Sequence, residues 1–398
     1  MLKNISLLTK LGFFAVVPFI QPLQADDNCG QYVDSSCCNP CETCCDRFWA
    51  EAEYLCWKIK DSPESVPLVI EIPPVSGPNT VVLGGHQIKN DWRSGGRFSL
   101  GYWFDECCSL GIEANYFFLP GETRKSSVSS DGSIGSPILG LPFFDVVTGL
   151  PSTTGIAFPG AFSGTAIRKL HNNMQGAELN VVQAVPYTCC MNFGWLAGFR
   201  YWNFDETLTF DTSSPFVPPN PADIWLTQDK FGAQNNFYGG QIGAMFDYTY
   251  DSFFLNLKGK LALGALCQEA LINGHLITND FDGFGTAPTQ TFTGGYFAQP
   301  TNIGHHKKTR FAALPEVNVN IGYKFSDWLK FQVGYTFLCV NNVLWAGKEI
   351  DPNINPSQSA ALSNTPTPVL VGEASPLARL RTESLWVQGF NAGFELKF

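Results

Sequence analysis

Apolar and polar residues alternate along this chain in short paired segments. Phe98, Leu100, Tyr102 and Phe104 share one parity, with Arg97, Ser99 and Gly101 between them. After Asp105-Glu-Cys-Cys-Ser109 the pattern resumes as Leu110, Ile112, Ala114, Tyr116 and Phe118, against Gly111, Glu113 and Asn115. Three more pairs repeat the design: Ala177–Val185 with Phe193–Tyr201, Ile242–Tyr250 with Phe253–Leu263, and Val317–Phe325 with Leu329–Phe337. A period of two predicts strands with two unlike faces, here joined by tight turns. Phe48 to Ile59 and Ser384 to Phe398 add one strand at each end, which makes about ten. Between the hairpins lie stretches rich in Pro, Gly, Ser, Thr and Asn, over 60–93, 120–166, 205–232, 273–308 and 344–382. Strands hidden at Val81–Lys89, Ala161–Lys169 and Phe292–Phe297 would raise the count to between twelve and sixteen.

Short and long connections in strict alternation predict an all-β fold, a transmembrane antiparallel up-and-down β-barrel. Its short turns would face the periplasm and its long loops the outside. A secreted β-sandwich or propeller would instead space its strands and turns evenly. Five long structureless loops are also more than one compact soluble domain needs.

The two ends of the chain agree with a barrel. Phe390, Phe394, Leu396 and Phe398 share one parity and Gly393 falls on the other, so this segment reads as the closing strand. It resembles the signal that outer-membrane insertion machinery recognises, which makes that machinery an expected partner. At the other end, Lys3 and Lys10 precede an apolar run from Leu11 to Ile20. That is the form of a secretory signal, too short for a spanning helix of about 20 residues. The expected organisation is a signal peptide over 1–25, a cysteine-rich periplasmic segment over 26–46 and the barrel over 47–398. Loss of Lys3 and Lys10 would take the formal charge from -10 to -12.

Composition narrows the class further. Charged residues make up 15% of the chain and aromatics 14%, against about 25% charged in an ordinary soluble domain. No later run reaches about 18 apolar residues, so the backbone can cross a bilayer only as a closed barrel. Outer-membrane lipid is therefore the expected surrounding. An acidic balance without a basic stripe excludes nucleic acid as a partner.

If the aromatic parity faces lipid, the other parity faces the lumen. That set holds Arg97, Glu113, Glu178, Arg200, Asp247, Lys258, Lys260, Glu316, Gln332, Glu395 and Lys397. Mixed charge predicts weak ion selectivity and passive diffusion of small hydrophilic solutes, if water fills the lumen. Ten strands would enclose a narrow or plugged pore, because open porins have sixteen or more. Trp49, Trp103, Tyr250 and Trp328 fall near one set of strand ends, and Trp202 and Trp345 near the other, as aromatic girdles would.

The thirteen cysteines are the unusual feature. Cys29, Cys37, Cys38, Cys41, Cys44 and Cys45 crowd the mature N-terminus, and Cys107-Cys108 and Cys189-Cys190 sit in two expected periplasmic turns. That compartment is oxidising, so disulfides are expected there. The Cys-x-x-Cys spacings at Cys38–Cys41 and Cys41–Cys44 match zinc sites, but oxidation is favoured and no metal or other cofactor is expected. Cys267 and Cys339 read as lone apolar residues. The five histidines, His86, His171, His275, His305 and His306, lie in loops or at outer strand ends. Neither a Gly-x-Ser-x-Gly nor a His-Glu-x-x-His motif occurs, so no catalytic residue is assigned and no enzyme is expected.

Two stretches carry a family resemblance: Phe48-Trp-Ala-Glu-Ala-Glu-Tyr-Leu-Cys-Trp-Lys-Ile-Lys-Asp-Ser-Pro63, and Arg93 to Asp105 followed by Gly111-Ile-Glu-Ala-Asn-Tyr-Phe-Phe-Leu119. They resemble the outer-membrane barrels of planctomycetes and chlamydia-like bacteria, which include major-outer-membrane-protein-like porins. The resemblance covers the first third of the chain. It implies a porin or surface antigen of the outer membrane and raises inter-chain disulfides, to other envelope proteins or a second copy. The alternative is a closed barrel that only displays its loops as an adhesin or structural antigen.

Overall fold

The computed structural model describes residues 46–74, 77–105, 108–188, 190–217, 224–281 and 287–398. Sixteen strands are found there. The first eight are β1 (Phe48–Ile59), β2 (Pro67–Ile72), β3 (Thr80–Gly84), β4 (Trp92–Trp103), β5 (Leu110–Ser130), β6 (Ile138–Asp145), β7 (Leu150–Ala157) and β8 (Gly164–Thr188). The rest are β9 (Met191–Ser213), β10 (Trp225–Tyr250), β11 (Phe253–Thr278), β12 (Gln290–Thr293), β13 (Gly304–Ser326), β14 (Leu329–Leu344), β15 (Asn353–Ile354) and β16 (Thr382–Lys397).

Ten of these form the wall, in the order β1, β4, β5, β8, β9, β10, β11, β13, β14, β16. Each pairs antiparallel with its neighbour, and β16 returns to β1 with Trp49 opposite Lys397 and Ile59 opposite Val387. Closure leaves no free edge at membrane depth, which lipid requires because it offers the backbone no hydrogen bonds. None of the hidden strands adds to the count of ten: β3 joins the small outer sheet, β12 pairs only with the outer end of β11, and Gly164–Lys169 is the start of wall strand β8.

Local chemistry explains the tight turns. Asp105 accepts from the amides of Ser109 at 2.9 Å and Leu110 at 3.0 Å, closing the β4–β5 turn. The Ser109 hydroxyl and the Leu110 amide hold its carboxyl below the usual range. At the β10–β11 turn Asp251 takes a φ of 53°, the left-handed value that two-residue hairpin turns need and that Asp tolerates.

The outward face carries the apolar parity. Phe98, Leu179, Phe199, Ile242, Val317, Phe325 and Phe394 are all exposed, an arrangement stable only against lipid. The outer limit of this belt is marked by tyrosines. Tyr116, Tyr201 and Tyr335 donate to Gln175 at 3.0 Å, Asn236 at 3.0 Å and Gln388 at 2.9 Å, each on a neighbouring strand. The Tyr54 hydroxyl lies 2.6 Å from that of Ser94.

These tyrosines replace the outer tryptophan girdle expected from the sequence. Trp202 and Trp345 are fully buried inside the barrel. Trp49 and Trp103 also point inward, so only Tyr250 and Trp328 of the expected girdle face outward. The inward turn of Trp345 has a local cause. β14 leaves β13 beyond Leu338, and at Asn341–Asn342 (φ of 58° at Asn342) its register against β16 shifts. The two side chains continue the ladder, accepting from the Ala313 amide at 2.8 Å and donating to the Phe311 carbonyl at 3.1 Å.

The long connections are more ordered than expected. β8, β9, β10 and β11 run for 25, 23, 26 and 26 residues, where about 9–11 cross a bilayer. Parts of the expected loops 120–166, 205–232 and 273–308 are thus wall that projects beyond the membrane. The rest folds over the mouth. β2, β3, β6, β7 and β15 make a small sheet, and a short helix α1 (Ala360–Ser363) lies beyond it.

Candidate functional site: the barrel interior

Inward-facing side chains stack in layers along the barrel. At the turn end lies a cavity of about 420 Å³ with a mixed lining. Trp49, Trp103, Val182 and Met245 line it together with Lys258, Lys324, Lys330 and Lys397, and Trp49 is the direct cross-strand neighbour of Lys397 and Met245 of Lys258. Gly101 is needed here, because the Trp49 ring occupies the place a Cβ would take. The lysines are paired: Lys258 with Glu113 at 3.2 Å, Lys330 with Glu395 at 2.9 Å and Lys324 with Asp327 at 3.1 Å.

The next layer is a closed ion network. Arg97 pairs with Glu53 at 3.2 Å and reaches Glu316 at 3.9 Å. Arg200 pairs with Glu178 at 3.4 Å and with Glu316. Lys260 lies 2.9 Å from Glu178 and 3.3 Å from Glu316. Amides complete it: Gln241 donates to Glu178 at 2.8 Å, Asn391 to Glu53 at 2.5 Å and Gln332 to Glu53 at 3.3 Å. All six ionic side chains are buried. Three carboxylates face three cations, and only near-complete pairing makes such burial tolerable.

Above the ions lies an apolar layer. Leu55, Trp57, Phe117, Trp202, Phe204, Phe237, Leu266 and Leu314 are at most 1% exposed. The Arg97 guanidinium sits over the Trp57 ring, 5.1 Å from its centroid, and joins the two layers. A second polar ring ties the loops to the wall. Ser62 donates to Glu206 at 2.6 Å, the Ala346 amide to Glu206 at 3.1 Å, and Arg93 to Asn90 at 3.1 Å. Asn235 and Leu344 exchange bonds of 2.9 and 2.8 Å.

The cap is another apolar core. Leu68, Leu141 and Ile156 from the small sheet pack with Phe210, Phe231 and Leu276 from the projecting wall. Asp229 accepts from the amides of Tyr296, Phe297 and Ala298 at 3.1, 3.0 and 2.7 Å. Glu64 is buried against Arg168; burial pushes its carboxyl up to about 7, while Arg168 opposes the shift.

A closed wall of ten strands with a lipid-facing exterior fits one family model over residues 49–398, described as "Putative beta barrel porin-7 (BBP7)". The chain belongs to this family. Its place is the outer membrane, and the turns of a BBP7 barrel accordingly face the periplasm. Among solved structures it is similar to the outer membrane protease OmpT from Escherichia coli: 14% identity, 89% of this chain and 97% of that one covered, TM-score 0.42. It is also similar to a Pseudomonas aeruginosa FadL homologue, at 9% identity, 89% and 91% coverage and TM-score 0.23. Likenesses this distant carry no functional argument. No curated protein matches the sequence.

The BBP7 interior receives every residue expected to line a pore, but in two groups. Arg97, Glu178, Arg200, Lys260 and Glu316 meet in the buried network, with Gln332 at its lower edge. Glu113, Asp247, Lys258, Glu395 and Lys397 line the periplasmic cavity. Water was expected to solvate the first group; instead their charges satisfy one another. Glu53, the partner of Arg97, was not among the expected lining residues. Its alternation with Ala52 and the outward Tyr54 in β1 was the available signal.

Phe390, Phe394 and Phe398 lie exposed on the lipid face, Leu396 is half-buried there, and Gly393 packs against Ala52 and Glu53. Phe48 and Phe398 exchange backbone bonds of 3.1 and 2.8 Å. Of the disulfide candidates, Cys29, Cys37, Cys38, Cys41, Cys44, Cys45, Cys107 and Cys189 lie outside the described residues. Cys108 lies in the β4–β5 turn and is disulfide-bonded, and Cys190 lies in the β8–β9 turn. Cys56, Cys267 and Cys339 are free thiols in strands of the wall. Among the described residues no three of His, Cys, Asp and Glu converge to hold a metal. His305 instead pairs with Glu269 at 2.6 Å, and His306 with the Asn302 carbonyl at 2.8 Å.

Proposed function

We propose that this barrel is a closed outer-membrane scaffold that carries a folded cap at the cell surface, as a structural antigen or adhesin. One observation carries this reading: charge-paired and apolar layers from the wall itself fill successive levels of the interior. These side chains are rooted in strands hydrogen-bonded on both sides and are held by ion pairs and packing across the lumen, so the filling cannot leave as one piece in the way a loop plug could. Passive diffusion of small solutes, the rival reading, keeps the word "porin" in the family description as its support.

Several attributes belong to the same proposal. Residues 1–25 act as a cleaved signal, and Cys-rich segment 26–46 with the turn cysteines cross-links the barrel to envelope proteins or to another copy. Kinship with chlamydial major outer membrane proteins would give such cross-linking a precedent. The protein has no catalytic role on this reading. Swelling of proteoliposomes in isotonic sugar tests it. Folded protein should leave the swelling rate at the level of empty vesicles. Swelling that scales inversely with sugar size would support a diffusion pore.

A further inference from the structure

Two grooves of about 550 and 440 Å³ indent the outward, lipid-facing wall and meet at Ile321 and Val333. The strand register explains the first. Tyr54 on β1 lies opposite Ala392 on β16, Ala392 opposite Val333 on β14, and Val333 opposite Ile321 on β13. These four form one row across four strands, and its middle is short because Ala392 and Val333 are small. Aromatic ridges flank the row on both sides. Tyr335 packs on Phe390 at 5.4 Å on one side, and Phe331 on Phe394 at 5.1 Å on the other. Cys56 extends the first ridge beside Phe390. The second groove continues toward the periplasmic turns, past Tyr323 to Phe253 and Tyr250.

We propose that this trough binds the acyl chain of a membrane lipid and retains it as an annular ligand. Within a bilayer no hydrophobic force drives apolar groups together, so preference comes from packing. An unfilled groove forfeits dispersion contacts along its floor and both ridges. A flexible chain can follow the row across the curved wall and recover them. A second barrel presents another convex surface and touches mainly the ridges. The hydroxyls of Tyr54 and Tyr335 lie where the trough meets the outer girdle, so the headgroup end of the lipid belongs there.

The experiment is native mass spectrometry of full-length protein refolded into palmitoyl-oleoyl phosphatidylethanolamine vesicles and extracted in detergent. Wild type should retain bound phospholipid. Ala392→Trp fills the row and should lower retention about tenfold. Cys56→Trp, at the edge of the same groove, should act likewise if Ala392→Trp fails to fold. Leu179→Trp, exposed on β8 outside both grooves, should retain lipid as wild type does. Heat-modifiable migration confirms folding of each variant. Equal retention in folded Ala392→Trp and wild type would overturn the proposal, as would a folded wild type that carries no lipid. A lipid-free dimer abolished by Ala392→Trp would assign the trough to a second copy instead.

Discussion

The two ends of this barrel are built on the same alternating wall yet finish differently. At the periplasmic end β10 and β11 are joined by Asp251 and Ser252 alone, and a cavity of mixed polar and apolar lining remains behind the turns. At the outer end the strands run past the membrane, and the chain between them packs an apolar core across the mouth. Strand parity decides which side chains enter the lumen, while the connections decide whether the mouth is covered. On the proposed reading the closed state is a property of the interior and the cap together, and the periplasmic cavity is what remains where no connection is long enough to cover it.

This contrast predicts a gradient of sensitivity. Arg200→Ala should have the largest effect, because it leaves the buried Glu178 and Glu316 with Lys260 as the one cation they still share. Breaking such a buried network costs about 3–5 kcal/mol, read as a lower midpoint for urea unfolding in lipid vesicles. Leu266→Ala, in the apolar layer, should cost about 2–5 kcal/mol by the same measurement. A loss no larger than that of a surface change would mean the layer is not packed as described.

The cap should respond to pH through Glu64. Its folded pKa, about 7, lies above the ordinary 4.5. The neutral form is therefore favoured in the fold. The stability it contributes is complete below about 4.5 and lost as pH rises through about 7. Limited proteolysis of the outer loops should be slower at pH 5 than at pH 8, relative to a control substrate, and Glu64→Gln should shrink the difference but not abolish it, because burial also pushes the Asp229 carboxyl in the cap up to about 7. Lys330→Ala at the periplasmic mouth should have the smallest effect. Its half-solvated pair with Glu395 is worth about 1 kcal/mol or less and should weaken with added salt. A loss as large as that of Arg200→Ala would erase the distinction between the two ends.

Much of the wall was legible from periodicity. Phe48–Ile59 is a strand with those bounds, the turn after Trp103 falls where Asp105 and Ser109 stand, and the count is ten. Lumen-facing parity was legible too, because a two-residue period fixes the side once lipid is assigned. What parity cannot give is the height of a side chain in the barrel or its partner across it. Arg97 and Lys258 look alike in sequence, yet one is paired in a buried network and the other lines a cavity. Trp202 and Trp345 were misplaced for a related reason. Trp202 is in the inward register with Arg200, and Trp345 follows a bend that depends on two asparagine side chains reaching β13. The cap was hidden because Pro, Gly and Ser-rich sequence signals turns without showing that Leu68, Leu141 and Phe231 converge.

The most direct measurement is single-channel conductance of the refolded protein, without residues 1–25, in a planar bilayer, with heat-modifiable migration as the folding control. A closed interior predicts a folded barrel that produces no discrete steps across a range of salt concentrations. Regular steps that grow in proportion to salt would establish a continuous aqueous path and contradict the closed barrel.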